Sequence, residues 1–276
     1  MKRGGDDFEV ISTENINNQK VKPIKKLEDD IPVKGYELFS EPYANIFICA
    51  RKNSGKTTLL NHIIQQCAGR KTKVIICSST ADKDASMLHI IKELERRKLN
   101  HIVLDGDDVL DVIDSITGVD EDGEEKEPEV YMPTISTIAP CQPKPKTERK
   151  REPKKPKKVI PELMLIFDDT DSQILRSPKL NFWLKRNRHY KSKTIISSQY
   201  FLDLSTSGRR NLDNLILYGG IASDELAKIY KSVCLSIPYE QFEKLYHIAT
   251  EKKYHFLYID LRNCKYRINF DKEFKI

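Results

Sequence analysis

The chain has 276 residues, of which 39% are hydrophobic and 32% are charged, a composition that fits one substantial α/β domain with a polar surface. Its net charge of +6 comes from the tract Lys144–Lys158, which alone carries +7 and leaves the rest of the chain close to neutral. The sequence has no long apolar run and no apolar N-terminal signal, so it predicts neither a transmembrane helix nor secretion. The six cysteines show no disulfide or zinc spacing, which indicates a reducing, intracellular compartment.

Residues 1–40 have a polar, mixed composition and predict a flexible N-terminal arm, followed by a domain over 41–276. The domain opens with an apolar run at 46–49, a loop that ends in Gly55-Lys56-Thr57, and the helix-forming residues 59–66. This order of strand, loop and helix is the context that a phosphate-binding P-loop requires. A surface turn with a chance Gly-Lys-Thr sequence is the alternative, and a second motif described below counts against it.

The P-loop residues have complementary chemical roles. Gly55 lets the backbone curl so that N–H groups point at phosphate oxygens, and the N-terminus of the following helix favours the same anion. Lys56 is expected to reach the β- and γ-phosphates of a nucleotide, and the Thr57 hydroxyl to bind Mg²⁺. Ala50 stands where the usual pattern begins with Gly. The predicted nucleotide-binding residues are Ala50, Arg51, Lys52, Asn53, Ser54, Gly55, Lys56, Thr57 and Thr58.

After the P-loop, short apolar strands at 73–77 and 101–104 alternate with helical patterns at 85–99 and 107–116. This alternation predicts an α/β fold whose mostly parallel central sheet is sandwiched by helices. An acidic run and then a Pro- and Lys-rich run interrupt the pattern over 118–160. Their composition predicts a disordered insertion, whose basic half is a solvated linker, a nuclear-import signal or a nucleic-acid contact.

The pattern resumes with Leu163–Asp169, an apolar strand that ends in two adjacent carboxylates. Beside a P-loop, Asp168 is expected to hold Mg²⁺, and Asp169 to orient or deprotonate the attacking water. By itself, such a run is equally a strand that ends in a polar turn. Together with Lys56, the two carboxylates provide what hydrolysis of a nucleoside triphosphate requires. Further strands between the two motifs in the chain indicate the NTPase branch in which an extra strand separates them.

Gln199 and Arg188 are two further candidate catalytic residues. Gln199 follows a strand at 194–198, where its amide is expected to contact both the γ-phosphate and the attacking water. A strand-end amide satisfied by a loop is the alternative. Arg188 belongs to a cationic cluster after the helix that begins at Ser177-Pro178, and it is a candidate arginine finger for a neighbouring subunit. Cations at a helix C-terminus are also favourable without any such role.

The C-terminal part of the chain predicts more elements of the same domain. A strand at 215–218 precedes two helices, near 223–231 and 238–250. The apolar runs at 256–260 and 266–269 predict a hairpin at the edge of the sheet.

Four segments, taken in chain order, carry a resemblance to a known family. They are Ala50–Thr57, Leu165–Asp169, Arg188-His189-Tyr190 with Ile195–Gln199, and the tail from Phe242 to Asp260. In this order they resemble the viral genome-packaging ATPases of the FtsK–HerA superfamily, the type found in poxviruses, giant viruses and virophages. The resemblance covers about residues 40–270 apart from the charged insertion, and it implies a RecA-like P-loop NTPase fold.

The resemblance also implies a function and its partners. It implies an ATPase that uses ATP and Mg²⁺ to translocate double-stranded DNA into a preformed capsid, as a pentameric or hexameric ring of identical subunits at the portal vertex. It implies a location in the host cell, in the cytoplasmic viral factory or the nucleus, or in the virion. Two alternatives stay open: a nucleotide-binding regulatory or scaffold protein, and a cellular or plasmid-borne DNA-transfer or helicase motor with the same core.

Overall fold

The computed structural model describes residues 32–79, 81, 83–106, 108–118 and 158–276, and this part of the chain contains nine strands and eight α-helices. The strands are β1 (Asn45–Cys49), β2 (Lys73–Cys77), β3 (His101–Leu104), β4 (Leu163–Asp168), β5 (Ser192–Ser198), β6 (Asn214–Tyr218), β7 (Phe256–Asp260), β8 (Lys265–Ile268) and β9 (Lys272–Glu273). The helices are α1 (Lys56–Cys67), α2 (Ala85–Arg96), α3 (Asp108–Thr117), α4 (Ser172–Leu175), α5 (Pro178–Arg186), α6 (Thr206–Arg210), α7 (Ser223–Val233) and α8 (Tyr239–Ala249). None of these helices is long and apolar enough to cross a membrane.

All nine strands form one sheet in the order β3-β2-β4-β5-β1-β6-β7-β8-β9. The first six strands of that order are parallel, and β7, β8 and β9 add an antiparallel edge. The predicted mostly parallel sheet and its edge hairpin are therefore confirmed. The strand β5 lies between β1 and β4, so one strand separates the P-loop strand from the strand that ends in the two carboxylates.

Apolar side chains form two layers, one on each face of the sheet. Phe47 and Leu165 belong to one layer, together with Trp183 of α5. Ile46 belongs to the other, together with Leu60 of α1. Because consecutive strand residues point to opposite faces, a strand covered by helices on both sides has buried side chains at every position, and most of them are apolar. This double burial explains why β2 and β4 are nearly continuous apolar runs in the sequence. The strand β5 is the exception, since it is buried throughout but contains Ser, Lys and Thr residues.

The last residues of the predicted N-terminal arm are folded onto the sheet. Phe39 is completely buried, and its ring centroid lies 6.1 Å from that of Tyr258 and 5.7 Å from that of Phe270. The fully buried Lys193 lies with its ammonium 4.7 Å from the centre of the Phe39 ring and donates a hydrogen bond to the Glu41 carbonyl at 2.9 Å. The expectation of a flexible arm up to residue 40 is thus wrong for this segment, because its aromatic side chain completes the core.

The remaining sequence expectations have mixed outcomes. The helix start at Ser177-Pro178 is confirmed, with the Ser177 hydroxyl accepting a hydrogen bond from the backbone N–H of Leu180 at 3.1 Å. The short helices α4 and α6 were not predicted, because each is a single capped turn without apolar periodicity. Two segments lie outside the described residues, namely residues 1–31 and residues 119–157. The second segment covers most of the predicted insertion and nearly all of the basic tract.

Replacement of Phe39 by alanine tests whether this segment belongs to the folded domain. We expect Phe39→Ala to lower the free energy of unfolding by about 3–5 kcal/mol, because it removes a large buried ring from an aromatic cluster. Tyr36→Ala is the matched control: this tyrosine is 65% exposed, and its loss should change stability by no more than about 0.5 kcal/mol. Urea unfolding followed by the fluorescence of Trp183 measures both, and equal midpoints for the two variants would contradict the structure.

Candidate active site

The parallel register brings three sequence motifs to one edge of the sheet, which we call the carboxyl edge. Cys49 at the end of β1 pairs with Ser198 at the end of β5, and Ser197 pairs with Asp168 at the end of β4. The P-loop, the adjacent carboxylates and Gln199 all follow these positions. Because parallel strands end together, motifs far apart in the chain become neighbours in space.

The P-loop backbone turns into α1 through Gly55, which has a φ of 90° and is the N-cap of the helix. A Cβ at this position would lie 3.3 Å from the Tyr254 ring, so both conformation and close approach require glycine. Asn53 also has a positive φ, of 61°. Ala50 is buried, is not among the residues with positive φ, and donates its backbone N–H to the Ser198 carbonyl at 3.0 Å. Alanine therefore fits the first position of this P-loop without strain.

Lys56, the first residue of α1, is buried between the two carboxylates at the end of β4. Its ammonium lies 3.3 Å from Asp168 Oδ1 and forms a closer ion pair with Asp169. Neither contact is aligned as a hydrogen bond, so the Lys56 ammonium and Asp168 Oδ1 keep unused hydrogen-bonding capacity. Burial raises the pKa of Asp168 above its usual value, and the nearby charge of Lys56 opposes this shift.

Asp169 differs from Asp168 in exposure and backbone conformation. Its side chain is about one-third exposed, whereas the Asp168 side chain is almost completely buried. Its φ of 49° lies in the left-handed region, which an aspartate adopts at a cost in energy. The turn therefore leaves one carboxylate open to solvent beside the lysine and holds the other in the interior.

The residues around Lys56 suit an oxyanion and a hard cation together. The Ser54 hydroxyl and the Lys56 ammonium are buried donors without a hydrogen bond, and Asp168 Oδ1 is a buried acceptor without one. The described residues contain no group of three or more His, Cys, Asp or Glu side chains that could hold a metal ion by itself.

Gln199 lies at the same edge, next to the first residue of the P-loop. It is half-buried, and its backbone carbonyl accepts a hydrogen bond from the Cys49 thiol at 3.5 Å. The position of β5 between β1 and β4 places Gln199 between the P-loop and the two carboxylates. Its role as a sensor of the γ-phosphate stays a prediction.

Arg188 lies at the opposite edge of the sheet, which we call the amino edge. It follows α5 and precedes β5, and it lines a polar cleft of about 390 Å³ together with Asn45, Asp213 and Arg262. Burial raises the pKa of Asp213 to about 6. The hydrogen bond that the Asn45 backbone N–H donates to Asp213 and the positive charge of Arg188 both oppose this rise in pKa. Arg262 Nε lies 2.6 Å from Asp213 Oδ1. The structure does not bring Arg188 to Lys56 within one copy of the chain.

Residues beyond β6 also contact the P-loop, and the motifs did not predict these contacts. Tyr254 lies against Gly55, and the Arg51 side chain lies against Gly220, which has a φ of 92°. The charge of Arg51 also attracts Glu225 near the start of α7. The contacts follow from strand direction in the structure: β7 runs antiparallel to β6, so the turn before β7 returns to the carboxyl edge.

Solved structures that share this fold include a viral protein, whereas the chain matches no protein-family model and no curated protein. The genome-packaging NTPase B204 from Sulfolobus turreted icosahedral virus 2, in complex with AMPPCP, superposes with a TM-score of 0.51 and 19% identity, over 83% of this chain and 97% of B204. The same protein in complex with ATP-gammaS gives a TM-score of 0.50, again over 83% of this chain and 97% of B204. B204, the DNA-packaging ATPase from Sulfolobus turreted icosahedral virus, gives a TM-score of 0.51 and 17% identity, over 82% of this chain and 97% of that chain.

This likeness extends through almost the whole length of B204 and concerns the fold. Both chains place helices on both faces of a mostly parallel sheet, as the sequence of this chain predicts. The chain has the P-loop NTPase fold of the genome-packaging NTPase B204.

Proposed function

We propose that this chain is an ATP-hydrolysing motor of the FtsK–HerA superfamily that translocates double-stranded DNA into a viral capsid. One observation carries the proposal: a P-loop lysine, Lys56, is buried beside the adjacent carboxylates Asp168 and Asp169. The fold shared with B204 and the ordered motifs of the sequence support the same assignment. Translocation, the homo-oligomeric ring, and the capsid or portal vertex as partner belong to this proposal.

The geometry suggests a distinct part for each side chain. Lys56 is close enough to both carboxylates to hold them in place. With a nucleotide bound, its ammonium would contact the β- and γ-phosphate oxygens. Thr57 and Asp168 would hold Mg²⁺, which supplies charge neutralisation at the phosphates when bound. Asp169, the more exposed member of the pair, would accept a proton from an attacking water. Gln199 would orient that water from the neighbouring strand.

Replacement of Lys56 and Asp169 separates nucleotide binding from cleavage. We expect Lys56→Ala to lower kcat for ATP roughly 100- to 1,000-fold, because the cation facing the transferred phosphoryl group is lost. Asp169→Asn should lower kcat about 100- to 10,000-fold and still bind ATP, because the group that accepts the proton is lost while Lys56 is kept. Phosphate release and equilibrium binding of ATP measure these effects.

Lys265→Ala is the control for loss of a lysine, since this side chain is exposed on β8 and pairs with Glu273. Unchanged turnover in Asp169→Asn would contradict the role of Asp169, and Mg²⁺-dependent hydrolysis in Asp168→Asn would contradict the metal role of Asp168. The same assays with duplex DNA test the motor itself. Binding of ATP with no response of hydrolysis to DNA would favour a regulatory or scaffold protein.

Arg188 is expected to act across a subunit boundary, because its own active site lies at the other edge of the sheet. In a mixture of Arg188→Ala and Lys56→Ala subunits, some interfaces combine an intact P-loop with an intact Arg188. ATPase activity of such mixtures should therefore exceed that of either variant alone. Assembly is checked in parallel by sedimentation velocity, and intact rings without recovered activity would contradict the finger role.

The basic tract 144–158 is expected to bind DNA through its phosphates. Deletion of residues 140–158 should spare basal ATP hydrolysis, weaken DNA binding and reduce the dependence of the Kd on salt, because fewer counterions are released. Deletion of the acidic run 120–129 is the matched control and should not weaken DNA binding. Titrations of labelled duplex at several salt concentrations measure both. Equal affinities and salt slopes for the full chain and the 140–158 deletion would identify the tract as a linker or import signal.

A further inference from the structure

The turn between α8 and β7 places an exposed aromatic ring directly against the P-loop. We propose that Tyr254 is the surface on which the purine base of the bound nucleotide stacks. The inference rests on the proposed function, since it assumes a nucleotide at Lys56, and it assigns the part of the site that receives the base.

The antiparallel pairing of β7 fixes the position of this ring. Phe256, the first residue of β7, pairs with Tyr218, the last residue of β6, so the preceding turn lies at the carboxyl edge. There the Tyr254 ring approaches Gly55 so closely that an added Cβ would lie 3.3 Å from its Cδ1 atom. The ring is therefore in contact with the loop that would hold the phosphates.

The ring is held in place and remains accessible. Tyr254 is 56% exposed and has a φ of 68°, a left-handed conformation that is rare for an aromatic residue. Strain of this kind is concentrated at functional sites. The Lys253 ammonium lies 4.7 Å from the ring centroid and covers one face. A flat base can stack on the other face, since an aromatic ring accommodates a cation and a base on opposite sides.

The order of the strands indicates on which side of β1 the base of a bound nucleotide would lie. The carboxylates Asp168 and Asp169 and the side chain of Gln199 follow β4 and β5, on one side of β1. A nucleotide with its γ-phosphate toward those groups must extend its ribose and base toward β6 and β7. On that side Gly219 and Gly220 follow β6, and the Arg51 side chain lies against Gly220.

The two other exposed tyrosines among the described residues do not fit this role. Tyr36 lies in the turn after Val33, next to the C-terminal end of α1 and away from the P-loop. Tyr200 and Gln199 follow the end of β5, so Tyr200 lies on the γ-phosphate side of β1. Stacking on Tyr254 alone favours purines through their larger surface and distinguishes adenine from guanine only weakly.

The test compares ATP with inorganic tripolyphosphate, which carries the same phosphates without a base. In the full-length chain, Tyr254→Ala should weaken ATP binding roughly 5- to 150-fold, the range seen for loss of base–aromatic stacking, and leave tripolyphosphate binding unchanged. Tyr254→Phe should bind both ligands like the original chain. Tyr36→Ala is the matched control, because it removes an equally exposed tyrosine away from the P-loop.

Tyr254→Trp provides a second readout that does not depend on removal of the ring. Its fluorescence should change when ATP binds and stay constant when tripolyphosphate binds. Equal loss of affinity for both ligands in Tyr254→Ala would show that the ring only supports the P-loop and would overturn the proposal, as would unchanged ATP affinity. If the original chain bound neither ATP nor tripolyphosphate, the proposed function itself would fail, which is a separate outcome.

Discussion

The buried charge of Lys56 is the constraint on which the site depends. A buried ammonium is costly unless opposite charges lie beside it, and here Asp168 and Asp169 provide them. Those carboxylates reach Lys56 only if β4 runs parallel to β1 and ends at the same level. The intervening strand β5 satisfies this condition, because it pairs in register with both neighbours. The parallel sheet and the charge cluster therefore require one another.

The charge cluster is incompletely satisfied, and this suits a site that must accept an anion. The ion pairs around Lys56 lack hydrogen-bond alignment, and Asp168 Oδ1 and the Ser54 hydroxyl have no hydrogen bond. Buried polar groups in this condition cost free energy that a ligand can recover. The left-handed backbone at Asn53 and Asp169 adds to that cost in the same small region. A fold optimised only for stability would not concentrate these defects around one lysine.

Local patterns in the sequence predicted the elements well, because double burial makes most of the parallel strands apolar on both faces. The bounds of β2, β3 and β7 coincide with the apolar runs read from the sequence. The carboxylates after β4 were recognisable because charged residues end an apolar run abruptly. Contacts between distant segments were not predictable in this way. Phe39 joins the core, and Tyr254 touches Gly55, through strand order and strand direction, which no local window contains.

The two edges of the sheet constrain what Arg188 can do. It lies near the start of β5, whereas Lys56 lies just beyond the end of β1, and the parallel strands between them span about 16 Å, five residues at about 3.3 Å each. An arginine side chain cannot cover that distance through a closed sheet packed on both faces. Any contact between Arg188 and a γ-phosphate must therefore involve the nucleotide of a neighbouring copy. In a ring of identical subunits such a contact would repeat at every interface. The amino edge of each subunit would then complete the active site at the carboxyl edge of its neighbour.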